Sequence, residues 1–83
     1  MTVEAFKEMM LCNEPAFDYN GEEYSICWPN GKYYVTASDN PDDVKLAFKS
    51  IDDLLDHWII QGKKLRDILP EIHFRLCNLY FLK

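Results

Sequence analysis

Two Asn-Gly pairs within residues 17–35 constrain the fold of this chain more than any other feature. The stretch reads FDYNGEEYSICWPNGKYYV, and the pairs Asn20-Gly21 and Asn30-Gly31 stand between runs of aromatic and β-branched residues. A two-residue type I′ hairpin loop needs a positive φ at both central residues, which Asn and Gly adopt most readily. Each pair therefore predicts a tight turn between two antiparallel strands.

The side-chain pattern also predicts the register of these strands. Two-residue loops pair Phe17 with Tyr24 in the first hairpin and Trp28 with Tyr33 in the second. A three-residue second loop would place Lys32 opposite Trp28, because a slip by one residue flips every side chain to the other face. The two-residue loops instead gather one apolar inner face: Phe17, Tyr24, Ile26, Trp28, Tyr33, Val35 and Ala37.

Helical spacing precedes this β-meander. Thr2 is suited to cap a first helix, in which Phe6 and Met10 lie on the same side. We expect that helix to end near Asn13, because Pro15 cannot easily continue it.

Residues 38–49, SDNPDDVKLAFK, connect the meander to the second half of the chain. The Asn-Pro step and the Asp side chains predict a loop over residues 38–43, in which Asp42 and Asp43 form part of a solvated acidic face. Apolar and charged residues alternate over residues 44–49, which predicts a further strand.

A second helix is predicted to begin at Ser50. Ser50 and Asp53 form a capping box ahead of apolar residues at helical spacing. Gly62 is expected to end this helix as a left-handed C-cap, and residues 63–69 add a further helical turn or two before Pro70.

Residues 71–82 allow two interpretations. Apolar and polar residues alternate from Ile72 to Leu76, as they do in a strand. Pro70 as a first helical residue, with apolar residues continuing at helical spacing to Tyr80, indicates a helix. We expect the helix, with the strand as the alternative.

Composition completes the prediction of fold and location. A chain of 83 residues that is 48% hydrophobic and 28% charged is typical of one folded domain. We expect a single α+β domain over residues 1–83: an N-terminal helix, an antiparallel three- to four-stranded β-meander, and C-terminal helices packed on one face of the sheet. The three cysteines form an odd set, which indicates reduced thiols. The N-terminus has no secretory signal, so we expect a cytoplasmic protein. No apolar run approaches about 20 residues, so we expect no membrane contact.

Three short segments carry a resemblance to known sequences. They are YNGEEYSI at residues 19–26, FKSIDDLL at residues 48–55 and GKKLRDI at residues 62–68. In this order they resemble a loose group of short bacterial proteins of unknown function, in which a similar hairpin precedes a similar helix. The resemblance implies a helix, an aromatic β-meander and a helix, and it implies no activity.

Cysteine and histidine residues are the candidates for a metal site or a thiol nucleophile. None comes as a paired knuckle such as C-x-x-C, and a calcium loop starting at Asp39 would need a glycine where Val44 stands. The sequence therefore predicts no catalytic, cofactor-binding or metal-binding residue, and no enzymatic activity. The residues weighed for these roles are Cys12, Cys27, Cys77, His57 and His73.

Charge is unevenly distributed along the chain, whose formal net charge is -5. Residues 1–56 carry four Lys or Arg against twelve Asp or Glu, whereas residues 57–83 carry five against two. An acidic balance argues against a nucleic-acid partner and is compatible with a basic protein partner. The candidate protein-binding residues are one acidic helix side and the aromatics expected to point outward: Asp52, Asp53, Asp56, Tyr34, Tyr80 and Phe81.

These observations predict a small cytoplasmic protein-interaction or regulatory module. The apolar C-terminal segment also predicts self-association into a homo-oligomer. The alternatives are an acidic inhibitor or immunity-type protein that masks a basic enzyme, a structural role in a larger assembly, and, from a different class, a cysteine- or metal-dependent enzyme.

Overall fold

The computed structural model describes residues 1–75. The predictions for Cys77, Tyr80 and Phe81, and that of a C-terminal helix beyond Arg75, fall outside the described residues. Short 3₁₀ turns cover Pro29–Gly31, Pro41–Lys45 and Leu69–Glu71. The helices and strands are α1 Val3–Met10, β1 Ala16–Tyr19, β2 Glu22–Cys27, β3 Tyr33–Ala37, β4 Ala47–Phe48, α2 Ile51–His57, β5 Ile59–Ile60, β6 Lys63–Lys64, α3 Leu65–Ile68 and β7 His73–Arg75.

An antiparallel sheet in the order β4-β3-β2-β1-β7 forms one layer of the protein. Strands β5 and β6 form a separate two-stranded hairpin. The helices contribute their apolar side chains to a single core that also holds the inner face of the sheet. The α+β class predicted from the sequence is confirmed, and the sheet has five strands where three or four were expected.

Both Asn-Gly turns form as predicted. Asn20 and Gly21 have φ values of 50° and 84°, and Asn30 and Gly31 have 59° and 79°, the signature of type I′ loops. The backbone pairing follows the predicted register, with Phe17 opposite Tyr24 in the first hairpin and Ile26 opposite Val35 in the second.

Aromatic packing on the inner sheet face anchors the helices. Trp58, at the end of α2, is fully buried and lies edge-on to Phe17 and to Tyr24, with ring centroids 5.9 and 6.0 Å apart. The rings of Phe6 in α1 and Phe17 in β1 both pack against the ring of Phe74, with ring centroids 5.6 and 5.0 Å from that of Phe74. Each buried aromatic ring removes a large apolar area from water, and edge-to-face ring pairs add to that stabilisation.

The predicted strand over residues 44–49 is largely wrong. Residues Pro41–Lys45 form a 3₁₀ turn, and strand β4 is only Ala47–Phe48. The expectation that Asp43 is solvated is also wrong, because this side chain turns inward to the buried indole of Trp58. With Asp43 inward, Val44 and Leu46 are left exposed.

Helix α2 begins at the predicted Ser50 cap but ends earlier than predicted. Its last residue is His57, and Trp58 already has extended backbone angles. Ile59 and Ile60 then enter β5, which suits β-branched residues. Gly62 is therefore not a helix C-cap: Gln61 and Gly62, with φ values of 52° and 84°, form a third tight turn between β5 and β6.

The helix predicted after Pro70 is wrong for residues 73–75. These residues form β7, which pairs antiparallel with β1 and places Phe74 opposite Phe17. Without β7, strand β1 would leave the backbone groups of its outer edge unpaired. The contact between Phe74 and Phe17 further stabilises the pairing of β7 with β1. Within residues 1–75, no helix has the length and apolar character needed to cross a membrane.

Candidate functional site

The predicted acidic side of α2 holds its carboxylates in contacts within the chain. Ser50 Oγ accepts from the backbone N–H of Asp53 at 3.0 Å, and Asp53 Oδ2 accepts from the backbone N–H of Lys49 at 3.1 Å. The hydrogen bond from Lys49 lowers the pKa of Asp53, and His57 lowers it further. Asp53 is thus a capping residue, as the capping-box pattern indicates.

Asp52 and Asp56 are paired with cations from neighbouring helices. Arg66 of α3 donates to Asp56 through two nitrogens, at 2.7 and 3.2 Å, and its second nitrogen lies 3.6 Å from Asp52. Lys7 of α1 approaches Asp52 at 3.1 Å. The hydrogen bond from Arg66 lowers the pKa of Asp56. This surface therefore presents compensated charge, which gives little net field to attract a basic partner.

Tyr34 lies on the outer face of the sheet, opposite Cys27 of β2 and Ala47 of β4, and is half-buried. Nearby on this face, the hydroxyls of Ser25 and Thr36 bond to each other. A shallow depression of about 320 Å³ crosses the same face. Its polar groups largely satisfy one another, which leaves few of them for a ligand.

A cleft of about 440 Å³ lies where the sheet, the Pro41–Lys45 turn, the end of α2 and the β5–β6 turn meet. No sequence pattern indicates it, because its lining comes from three separate stretches of the chain. The lining residues are Tyr24, Asp39, Asn40, Asp43, Leu46, His57, Ile59, Ile60, Gln61 and Gly62.

Asp43 is the buried carboxylate of the cleft, with 7% of its surface exposed. Asn40 Nδ2 donates to Oδ1 at 3.1 Å, and Trp58 Nε1 donates to Oδ2 at 3.0 Å. Both donors are neutral, and among residues 1–75 no cationic side chain forms an ion pair with Asp43. Asp43 is therefore held by two neutral hydrogen-bond donors and has no cationic partner within the described residues.

Gln61 fixes the opposite wall of the cleft. Its amide nitrogen donates to the Tyr24 hydroxyl at 2.9 Å and to the Tyr19 carbonyl at 3.0 Å, while its oxygen accepts from Asn20 at 3.1 Å. Burial raises the pKa of Tyr24, and the nearby negative charge of Asp39 adds to that shift. The cleft therefore keeps a neutral phenol hydroxyl beside an acidic side chain.

His57 lines the cleft with a fixed ring orientation. Its Nδ1 lies 2.8 Å from Asp53 Oδ1 and 3.2 Å from the Asp53 carbonyl oxygen. Both neighbours only accept hydrogen bonds, so Nδ1 carries a proton and Nε2 of the neutral ring is an acceptor. Among residues 1–75, the ionisable lining of the cleft thus comprises two carboxylates, Asp39 and Asp43, with this imidazole and the Tyr24 phenol, and includes no Lys or Arg.

Two exposed apolar side chains line the cleft, and a third lies in the neighbouring Pro41–Lys45 turn. Leu46 and Ile59 line it with 39% and 51% of their surface exposed, and Val44, in the turn that carries Asp43, is 56% exposed. These are three of the five large hydrophobic residues exposed among residues 1–75. Clustered exposed apolar groups with a polar surround are typical of a protein-binding surface.

The cysteine and histidine candidates do not converge in the part of the chain that the structure covers. Cys12 is exposed, Cys27 is half-buried, and His73 lies on β7 opposite Asp18. Burial raises the pKa of Cys27, with Glu14 adding to it, which disfavours the reactive thiolate. Within residues 1–75, no group of three or more metal-ligating side chains has the geometry to hold an ion.

No family model, no curated protein and no solved structure matches this chain. The resemblance to short bacterial proteins accordingly stays a prediction. The cleft and its apolar rim, which the residues themselves define, provide the basis for a function.

Proposed function

We propose that the protein is a small interaction module that binds a basic protein partner through the cleft. One observation carries the proposal: the uncompensated carboxylates of Asp39 and Asp43 lie in the same cleft as the exposed side chains of Leu46 and Ile59. Apolar contacts supply most of the affinity of an interface, and complementary charge supplies orientation and speed of encounter.

The charge of the whole chain agrees with a basic partner. The net charge of -5 would attract a cationic protein over about a Debye length, roughly 10 Å at 0.1 M salt. An inhibitor or immunity-type protein that masks a basic enzyme is the specific role that suits this charge best. It remains the alternative to a general interaction module.

The other predicted binding residues are rival surfaces for the same function. The surface around Asp52 and Asp56 is a weaker candidate for binding a basic partner, because Lys7 and Arg66 neutralise these two carboxylates. Tyr34 is half-buried on a face whose hydroxyls pair with each other. Self-association through Tyr80 and Phe81 lies outside the described residues.

The proposal is tested by capturing a partner and then measuring its affinity with matched variants. The immobilised protein is exposed to lysate of its native host, the retained protein is identified and purified, and its Kd is measured by calorimetry. Ile59→Ser alters the cleft rim, and Leu11→Ser is the control, since Leu11 is 72% exposed and does not line the cleft. A partner rich in Lys and Arg is expected, with Kd about tenfold weaker for Ile59→Ser and unchanged for Leu11→Ser.

Charge reversal of the α2 surface provides the contrasting arm. An Asp52→Lys variant, measured at about 0.15 M salt where long-range attraction is screened, should leave the Kd within about twofold of the wild type, because Asp52 does not line the cleft. A partner that is lost with Asp52→Lys and retained by Ile59→Ser would move the binding site to α2. Finding no partner at all would contradict the proposal.

A further inference from the structure

We propose that the cleft receives the side chain of an arginine from the partner. This inference rests on the proposed function and specifies the group that the cleft recognises. The guest guanidinium would lie among the acceptors of Asp39, Asp43 and Tyr24, and its methylene stem would lie against the apolar rim.

The size of the cleft suits one long side chain with its flanking atoms. Its volume of about 440 Å³ is near the lower end of the range of roughly 300 to 1,000 Å³ that is usual for binding pockets. Leu46 and Ile59 at its mouth would cover the aliphatic part of the guest. Arg and Lys characteristically bury their methylene stems against apolar surface while the charged end finds polar partners.

The acceptors of the cleft are still available to a cation. Each carboxylate oxygen of Asp43 accepts one hydrogen bond from a neutral donor, and a carboxylate oxygen has two lone pairs. Asp39 forms no ion pair within residues 1–75. The cleft thus combines negative charge with free acceptor capacity, and among residues 1–75 no lysine or arginine lines it to compete for that capacity.

The distribution of these acceptors favours a guanidinium over an ammonium. The acceptors come from two separate parts of the chain: Asp39 and Asp43 lie in or just before the Pro41–Lys45 turn, whereas Tyr24 lies on β2. A guanidinium offers five N–H donors in a planar fork and is less strongly hydrated than an ammonium, whose three donors radiate from one nitrogen.

The depression on the outer sheet face is the competing site for such a guest. It already contains Arg75, whose guanidinium donates to Asp18 at 3.1 Å. Its remaining carboxylate, Glu23, is exposed, and none of the exposed large hydrophobic residues lines it. A cation there would meet a like charge and no apolar rim, so the cleft is the better receptor.

Capped tripeptides test the inference without the partner. The ¹⁵N-labelled protein is titrated with acetyl-Leu-Arg-Leu-amide, and amide shifts are followed by NMR. The citrulline peptide is the first comparison, since citrulline matches arginine in shape and lacks its charge, and the lysine peptide is the second. We expect saturable shifts at residues 39–46 and 57–62, with affinity about tenfold weaker for citrulline and severalfold weaker for lysine.

Matched charge variants localise the binding. Asp39→Asn removes a cleft carboxylate, and Asp42→Asn removes an exposed neighbour that pairs with Lys45 outside the cleft. The arginine peptide should bind Asp39→Asn about fivefold more weakly and Asp42→Asn nearly as well as the wild type. Both side chains are exposed, so the amide spectra should show that both variants are folded.

Several results would overturn the inference. They are equal affinity for the arginine and citrulline peptides, equal affinity for arginine and lysine, shifts confined to α2 or the outer sheet face, or equal losses in the two charge variants. Failure of this inference is distinct from failure of the proposed function. A purified partner whose Kd depends on Ile59, together with no response to the arginine peptide, refutes only the arginine assignment. A peptide that binds as expected, with no partner that depends on Ile59, refutes only the proposed function.

Discussion

The indole N–H of Trp58 donates to Oδ2 of Asp43 at 3.0 Å, and both side chains are buried. This bond joins the end of α2 to the Pro41–Lys45 turn and so positions the carboxylate of the cleft. It also determines which residues of that turn face solvent. The same contact therefore links the packing of the core to the chemistry of the proposed binding site.

Trp58→Phe should destabilise the protein by about 2 to 3 kcal/mol, because a buried carboxylate loses one of its two donors. Trp28→Phe is the matched control: Trp28 Nε1 donates to the neutral Asn13 carbonyl at 2.9 Å, and Trp28 is only half-buried. Loss of this hydrogen bond in Trp28→Phe should lower the free energy of unfolding by about 1 kcal/mol. Urea unfolding measures both free energies, and equal losses would contradict the special role of the Asp43 contact.

Gln61 stabilises the β5–β6 turn through its side chain although its backbone is strained. Its φ of 52° costs a non-glycine residue about 1 kcal/mol. Gln61→Ala removes the hydrogen bonds and keeps the strain, whereas Gln61→Gly removes both. We therefore expect Gln61→Ala to be less stable than Gln61→Gly by about 1 kcal/mol in thermal unfolding, and the reverse order would refute this explanation.

Acid should remove the contribution of the Arg66–Asp56 pair to stability. The pKa of Asp56 is lowered in the folded state, so its contribution is complete above the ordinary Asp pKa of about 3.9 and declines as the pH falls through the lower folded value. Asp56→Asn should accordingly be less stable than the wild type at neutral pH, and the two should converge below about pH 4.

Asp67→Asn provides the control for that experiment, because Asp67 is exposed and forms no ion pair among residues 1–75. At neutral pH its stability loss should be smaller than that of Asp56→Asn. Urea unfolding at a series of pH values gives both comparisons. A difference for Asp56→Asn that persists in acid would show that the pair is not its source.

Local turn chemistry explains which parts of the fold the sequence predicts well. Asn20-Gly21 and Asn30-Gly31 specify both the turn type and the register, because positive φ at two consecutive residues suits few other pairs. The third turn was missed because Gln61 carries no such preference. Its conformation depends on contacts with residues about forty positions away, such as Tyr19.

The remaining errors arise where tertiary contacts override local spacing. The apolar pattern of α2 continues through Ile59, but the Trp58 contact and the pairing of β5 end the helix at His57. For residues 73–75 the alternation from Ile72 to Leu76 did indicate the strand alternative, and pairing with the edge of β1 selects that strand over the helix.

The candidate site was the least predictable feature. Asp52, Asp53 and Asp56 are visible as an acidic helix side, yet their compensation by Lys7 and Arg66 is a property of packing. The cleft unites three separate stretches of the chain, so its signals in the sequence are dispersed. In the sequence, apolar residues at 44 and 46 fit an alternating strand as well as they fit the observed turn. Only the burial of Asp43 distinguishes the turn from the strand.

Hydrogen–deuterium exchange of the protein with and without its purified partner shows which surface the partner covers. Binding through the cleft predicts slower exchange in residues 39–46 and 57–62, with the outer sheet face unchanged. Slower exchange confined to the first turns of α2 or to the outer face around Tyr34, with the cleft unaffected, would contradict the account.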